Sequence, residues 1–339
     1  MTSAAHFCSI VPPYILDRLA EQGHEAAQRS LALDAVHRAA RLTAVAPPSP
    51  PHHLSRTVGD ARHTQQAPGR PVRREGGPPA KDACVNRAYD ALGATFALYE
   101  EVYGRNSVDN DWLPLDATVH YGEQYDNAFW DGSRMVFGDG DGVMFNDFTS
   151  SQDVIGHELT HGVTQYSAAL DYQGQSGALN ESVSDVFGSL VKQYALRQAA
   201  ADADWLIGAD LLAPGVHGIA LRSMKAPGTA YDDPRLGKDP QPAQMGDYVD
   251  TTEDEGGVHI NSGIPNHAFY LLATALGGNA WERAGQIWYD TLTGGRLTHD
   301  SGFTAFARAT AAAARARYTD EAVANTVIAA WSQVGVSAT

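Results

Sequence analysis

The sequence predicts an α+β protein of two lobes, the first rich in strands and the second helical, preceded by a small helical unit. Three observations carry this expectation. Residues 112–150 hold short strand-like runs parted by glycine-rich turns, whereas the pattern from Asp153 onward is predominantly helical. The stretch from Ala46 to Pro79 contains eight of the seventeen prolines and separates the first residues from the rest. Charge divides the same way: residues 1–83 carry 10 Lys+Arg and 7 Asp+Glu, and residues 84–339 carry 14 and 33, so a leader of net +3 precedes a body of net −19. At about 150 residues per domain, 339 residues make about two domains, each large enough to bury a core.

Taken in order, residues 15–43 read as helical, with Leu19, Ala27, Leu31, Ala35 and Leu42 roughly on one stripe and Gly23 breaking two helices apart. The clusters Pro47-Pro48-Ser49-Pro50-Pro51 and Arg70-Pro71 read as an exposed, protease-accessible linker. The divisions expected are a small unit at 1–50 with a linker to about 80, a β-rich lobe at 81–165 and a helical lobe at 166–339. Asn86 to Tyr103 is helical, and Thr118–Tyr121 and Met135–Phe137 are strand-like. Gly138-Asp139-Gly140-Asp141-Gly142 lacks the third acidic ligand and closing Glu of a calcium loop, and so reads as a turn. The Ala-rich helix at 304–316 carries no chemical signal, and no internal repeat is visible.

Composition excludes several classes. Hydrophobic residues at 43% and charged residues at 19% are those of a globular chain. No run approaches 18 apolar residues, so no membrane span is expected. A net charge of −16 argues against nucleic acid as a partner. Two cysteines, Cys8 and Cys84, make neither a disulfide framework nor a cysteine-based zinc site. The first twenty residues lack a basic n-region, and Pro12-Pro13 and Asp17-Arg18 interrupt the apolar stretch, so no secretory signal of the usual kind is recognisable.

The chemistry is concentrated in His157-Glu158-Leu159-Thr160-His161. On a helix, residues four apart share a face, so both imidazoles can reach one ion. Glu158 then projects beside the metal, where it can hold the attacking water. Zinc catalytic sites use three protein ligands, so a third is required. Glu181 supplies it, with nineteen residues between it and His161, and Asp185 four residues further shares its face and can accept a hydrogen bond from a ligand histidine.

These segments resemble the thermolysin-like neutral zinc metallopeptidases, and especially their short-propeptide, protealysin-like group. The resemblance runs from about Asp82 to Val334 and includes Asp126-Asn127-Ala128-Phe129-Trp130, Asn180-Glu181-Ser182-Val183-Ser184-Asp185, Leu221-Arg222-Ser223-Met224 and Gly256-Gly257-Val258-His259. It implies a two-lobed fold with the zinc helix on the floor of the cleft. One Zn2+ would be held by His157, His161 and Glu181, with Asn180 and Asp185 behind the ligands. Glu158 would act as the base, and His259, with Asp254 five residues earlier, and Tyr172 would stabilise the oxyanion. Arg222 would bind a substrate carbonyl, and Asn127 and Ala128 would grip the substrate backbone as an added strand. Phe145, Phe148, Val154 and Leu221 would line the pocket for the residue after the cut, which makes a bulky hydrophobic residue the expected preference. The implied partners are peptide and protein substrates, the chain's own propeptide and a proteinaceous inhibitor. The implied location is extracellular, with a cytoplasmic precursor as the alternative.

One departure concerns calcium. Better-known members hold paired calcium ions at positions that here read Asp153, Lys192, Asp204, Leu206 and Ala209, and a further calcium position reads Ile219. Structural calcium is therefore expected to be absent. The leader segment Cys8-Ser9-Ile10-Val11-Pro12-Pro13-Tyr14-Ile15-Leu16 resembles the group's propeptide motif. Pro12-Pro13 is expected to pre-set an extended backbone, so that the segment, Tyr14 included, lies in the cleft, with the prolines a poor site for cutting. Cys8 reads as a small buried hydrophobe, a thiolate near zinc being the alternative. Two other functions compete. A zinc aminopeptidase resembles this pattern with eighteen residues before the Glu and an acidic motif for the substrate's N-terminus, which is not evident here. A non-catalytic zinc-binding module requires a lost catalytic residue, and Glu158, His259, Tyr172 and Arg222 are all present.

Overall fold

The strand-like runs resolve into one mixed sheet, in a computed structural model that describes residues 8–40 and 52–339. Its strands are β1 (Arg56–Asp60), β2 (Arg70–Arg74), β3 (Leu115–Val119), β4 (Ala128–Trp130) and β5 (Arg134–Phe137), in spatial order β2-β1-β3-β5-β4. β1–β3 and β3–β5 are parallel, and the two outer pairs are antiparallel. β4 is therefore an edge strand of the body, with backbone groups open to another chain segment.

β1 and β2 correct the expected linker. The stretch from 46 to about 80 contains two strands of the sheet, so the β-rich lobe begins near Arg56 rather than at 81. Proline and arginine hid them, because β2 is an exposed edge strand where Pro71 is tolerated. What holds it is polar and aromatic. The guanidinium groups of Arg56 and Arg73 lie 3.8 and 3.7 Å from the Tyr89 ring centroid, and Arg56 pairs with Glu75 at 2.7 Å. Residues 41–51, with Leu42 and the cluster at 47–51, lie outside the described residues.

Helix α3 (Ala83–Ala97) is capped by Asp82, whose side chain accepts from Cys84 N at 2.8 Å, and buries Val85, Ala88, Leu92 and Phe96. The Gly138–Gly142 segment is a turn, in which Asp141 Oδ1 accepts from the Val143 and Met144 amides. Two long helices then form the centre of the molecule, α4 (Gln152–Gln165) and α5 (Gly174–Leu196). Both are buried almost all round, because lobes pack on both sides of them. They approach closely through glycines. A Cβ on Gly188 would stand 2.4 Å from the Asp153 carbonyl oxygen, and one on Gly156 3.1 Å from Gly188 Cα. That contact brings the imidazoles of α4 within reach of the carboxylates of α5. The helical lobe continues through α6 (Asp254–Asn261), α7 (Gly263–Leu276), α8 (Arg283–Thr293), α9 (Phe303–Arg317) and α10 (Glu321–Gln333).

The leader forms α1 (Pro13–Glu21) and α2 (Glu25–Ala40), parted at Gly23, whose φ of +87° suits glycine. Its expected apolar stripe is only partly right. Leu19 and Ala27 are buried, but Ala35 is exposed, and the face of α2 that meets the body carries Ala26, Ser30 and Asp34. This face docks by hydrogen bonds as much as by apolar burial: Ser30 Oγ accepts from the Asp126 amide at 2.8 Å.

At the calcium positions of the family, Lys192 Nζ lies 2.8 Å from Asp153, 3.0 Å from Asp204 and 2.9 Å from the Leu206 carbonyl oxygen. A cation on a side chain stands among the oxygens.

Candidate active site

The helix α4 carries His157 and His161 one turn apart, and α5 faces them with Glu181 and Asp185. Each imidazole is fixed from behind. His157 Nδ1 donates to Asp185 Oδ1 at 2.8 Å, and His161 Nδ1 donates to Asn180 Oδ1 at 2.8 Å. Both tautomers are thereby set with the Nε2 lone pair pointing forward. The two Nε2 atoms are 3.0 Å apart, and Glu181 oxygens lie 3.5 Å from each. Glu181 Oε2 is buried and has no hydrogen-bond partner among the described residues. Two facing lone pairs and a buried carboxylate need a cation between them, and two imidazoles with one carboxylate form a catalytic zinc set.

Asp185 does more than was expected of it. It also receives both Arg222 Nε and Nη2, at 2.8 and 2.9 Å, and Asn266 Nδ2 at 2.8 Å. Burial works to raise its carboxyl, but the Arg222 charge and His157 hold it well below the usual range. Arg222 enters from β7 (Arg222–Ser223), which pairs with β6 (Leu206–Ile207).

On the far side stands His259. Its α6 turn is entered through four left-handed residues, Asp254 (φ 51°), Glu255 (50°), Gly256 (84°) and Gly257 (74°). Two of these are not glycine, a conformation that costs on the order of 1–3 kcal/mol each and gathers at functional sites. The bend lets Asp254 bond both the amide and Nδ1 of His259, at 2.9 and 2.6 Å. Burial disfavours the imidazolium, yet Asp254 and Glu181 raise its pKa to about 9. Tyr172 Oη is 3.2 Å from His259 Nε2 and also bonds Glu181. Glu158 is buried in the floor, where Oε2 accepts from Trp130 N of β4 at 3.1 Å.

The cleft is filled by the leader. Ser9 pairs antiparallel with Phe129, and Ile10 N donates to the Ala128 carbonyl at 3.1 Å. Val11 N donates to Asn127 Oδ1 at 3.0 Å, and Arg222 Nη1 donates to the Ile10 carbonyl at 3.3 Å. Cys8–Val11 thus extends the sheet by a strand along the β4 edge. Ile10 is fully buried, and Phe145, Phe148, Val154 and Leu221 are buried as well. Two expectations are corrected here. Pro13 is not extended but opens α1 at a position where its missing amide costs nothing, Pro12 being the extended cap before it. Tyr14 packs beside the core from that first turn. Cys8 is not simply a hydrophobe. Its sulfur lies 2.9 Å from His161 Nε2, 2.9 Å from Glu181 Oε1 and 3.0 Å from Tyr172 Oη.

A cleft of this construction has close relatives. The family model for the thermolysin metallopeptidase catalytic domain matches residues 57–165, and that for its α-helical domain matches residues 168–336. The chain belongs to the thermolysin metallopeptidase family. Within the family it is 52% identical over 335 residues to an "Extracellular metalloprotease" of Pectobacterium carotovorum subsp. carotovorum, covering 97% of this chain and 96% of that protein. It is 43% identical over 264 residues to a "Thermolysin" of Alicyclobacillus acidocaldarius subsp. acidocaldarius, covering 75% of this chain and 46% of that one. Among solved structures it is similar to the "Precursor of Protealysin, Metalloproteinase from Serratia proteamaculans", with TM-score 0.90, 54% identity, and 97% and 100% of the two chains covered. The thermolysin family is zinc-dependent, and this member is a metallopeptidase.

Sequence reading missed Asp34. From α2 it accepts from Asn127 Nδ2 at 2.9 Å and from the Tyr125 hydroxyl, so the leader grips a residue of the substrate-binding edge. A single Asp on a helix gives no signal of this. Gly156, Gly188 and Asn266 were missed too, because close approach and third-layer contacts leave no spacing motif.

Proposed function

We propose that this thermolysin-family precursor is a zinc endopeptidase that cuts before bulky hydrophobic residues and is held inactive by residues 1 to about 50. The observation that carries the reading is the leader itself, bound as a substrate strand across the His157, His161 and Glu181 set. When bound there, zinc supplies a Lewis acid that polarises the scissile carbonyl and acidifies water. Glu158 takes the proton from the attacking water and passes it to the leaving amine. His259, charged at neutral pH through Asp254, donates with Tyr172 to the oxygen that gains negative charge. Arg222 holds the carbonyl of the residue after the cut, and Asn127 and Ala128 hold the backbone in register. Asn180 and Asp185 keep the ligand imidazoles oriented. Export from the cell fits the names of the relatives called extracellular.

Ile10 supports the preference, since its amide and carbonyl, held by Ala128 and Arg222, take the places of the residue after the cut and its apolar side chain is fully buried. Mass spectrometry of products from a mixed peptide pool, cut by a form starting near Leu54, should show new N-termini dominated by Leu, Ile, Phe and Val. Methylene differences in such a pocket are worth about 1–3 kcal/mol, so discrimination of 10-fold or more against Ala and Gly is expected. New N-termini without this bias would refute the preference.

We also propose that the fold needs no calcium, supported by Lys192 among Asp153, Asp204 and the Leu206 carbonyl. Its melting temperature should be unchanged by a calcium-selective chelator. A drop of many degrees, reversed by calcium, would show that the ion is required.

A further inference from the structure

The leader lies in the cleft in the direction of a substrate, and this raises a problem that the prolines do not solve. Arg222 holds the Ile10 carbonyl, and Ala128 holds the Ile10 amide. With Ile10 standing as the residue after the cut, the Ser9–Ile10 peptide is the bond presented for hydrolysis. Pro12 and Pro13 are two and three residues downstream and protect nothing at that bond. Something else must keep the water away.

Cys8 is the group in place to do it. Its sulfur is buried beside His161 Nε2, Glu181 Oε1 and Tyr172 Oη. One atom each of Cys8, His157, His161 and Glu181 lie within 4.8 Å of one another, all four residues buried. A thiol has one proton and cannot serve the His161 lone pair and the Glu181 carboxylate together, both 2.9 Å away. The Glu181 Oε2 atom, buried and without a hydrogen-bond partner among the described residues, points to a cation in the same space. Three protein ligands leave an open position for water, whereas four ligands including a thiolate close a zinc site.

Resting on the peptidase reading above, we propose that the Cys8 thiolate is the fourth protein ligand of the zinc in the intact chain and thereby protects the leader's own Ser9–Ile10 bond. On binding, the thiol loses its proton to solvent and the sulfur takes the position that water needs. Tyr172 can donate its hydroxyl proton to that sulfur. When the connection to the body is cut, the leader's effective concentration falls, the sulfur leaves and water enters.

Two measurements on the full-length chain test this. X-ray absorption at the zinc edge of the intact Glu158→Ala chain should show one sulfur at about 2.3 Å beside nitrogen and oxygen near 2.0–2.1 Å, and the sulfur should vanish in the Cys8→Ser, Glu158→Ala chain. Zinc bound with nitrogen and oxygen alone in the intact chain would overturn the ligand claim and leave the peptidase reading standing. A chain that holds no zinc would sink that reading first. In the Cys8→Ser chain with Glu158 retained, water adds across Ser9–Ile10, leaving a carboxylate on Ser9 and an amine on Ile10. Mass spectrometry should then find fragments beginning at Ile10, which are absent from the wild-type chain. A Cys8→Ser leader that stays uncut at this bond, with Cys8→Ala behaving alike, would overturn the protective role.

Discussion

Replacing Glu158 by Gln should leave zinc bound at one ion per chain and lower peptide turnover by roughly 10³-fold, within the usual range for a lost general base. The separation of the two effects follows from the geometry. The ligand atoms come from His157, His161 and Glu181, whereas Glu158 stands in the floor of the cleft with one oxygen held by the Trp130 amide. Gln keeps the shape and that hydrogen bond, but its amide cannot accept the water's proton. Elemental analysis and a peptide assay on a form starting near Leu54 decide the matter. Wild-type turnover in the variant would remove Glu158 from the mechanism, and loss of zinc would mean that it also holds the ion.

The second large effect is that of the leader. In the intact Glu158→Ala chain, a substrate-mimicking inhibitor should bind at least about 100-fold more weakly than in the same variant starting near Leu54. A tethered segment at an effective concentration on the order of mM, with a leader Kd of about 10 µM or tighter, gives that factor. The start near Leu54 keeps β1, which pairs with β3 and cannot be removed without opening the sheet. The grip should also depend on pH through Asp34. Burial raises its carboxyl to about 6, against Tyr125, Asn127 and Arg38, which lower it, from 3.8 in the free chain. Since the docked leader binds this proton more tightly, docking is favoured at low pH and weakens as pH rises between about 4 and 6. An isolated leader should therefore inhibit the mature form roughly tenfold better at pH 5 than at pH 7.5, and Asp34→Asn should flatten the profile. Equal inhibitor binding to both forms would mean that the leader does not cover the cleft.

The parts legible in the sequence are those where chemistry imposes a spacing. His157 and His161 share a helix face, Glu181 and Asp185 share another, and Asp254 must reach His259, so each pair shows as a fixed interval. The run expected at 118–121 meets β3 only at Thr118 and Val119, whereas strand β5 was legible because it is largely apolar and bounded by glycine. β1 and β2 were not, since Arg-Pro-Val-Arg-Arg is a poor strand by composition and is held by stacking on Tyr89, a contact between residues far apart in the chain. The docking face of α2 was obscured for a related reason. Its contacts are Ser30 and Asp34 to the body, and a polar face on a helix reads as one turned to solvent. The place of Cys8 depends on strand register along β4, and a register of this kind is set only when both strands are in place.

The central claim is that one chain contains a complete zinc peptidase site and the segment that closes it. The most direct measurement follows a single preparation of intact wild-type chain, assayed for zinc and peptide turnover before and after a trace of added protease cuts between Ala40 and Leu54. The account predicts one zinc per chain throughout, little turnover before the cut and a rise of at least about 100-fold once the leader has dissociated. Full turnover by the uncut chain, with its leader verified by mass, would contradict it.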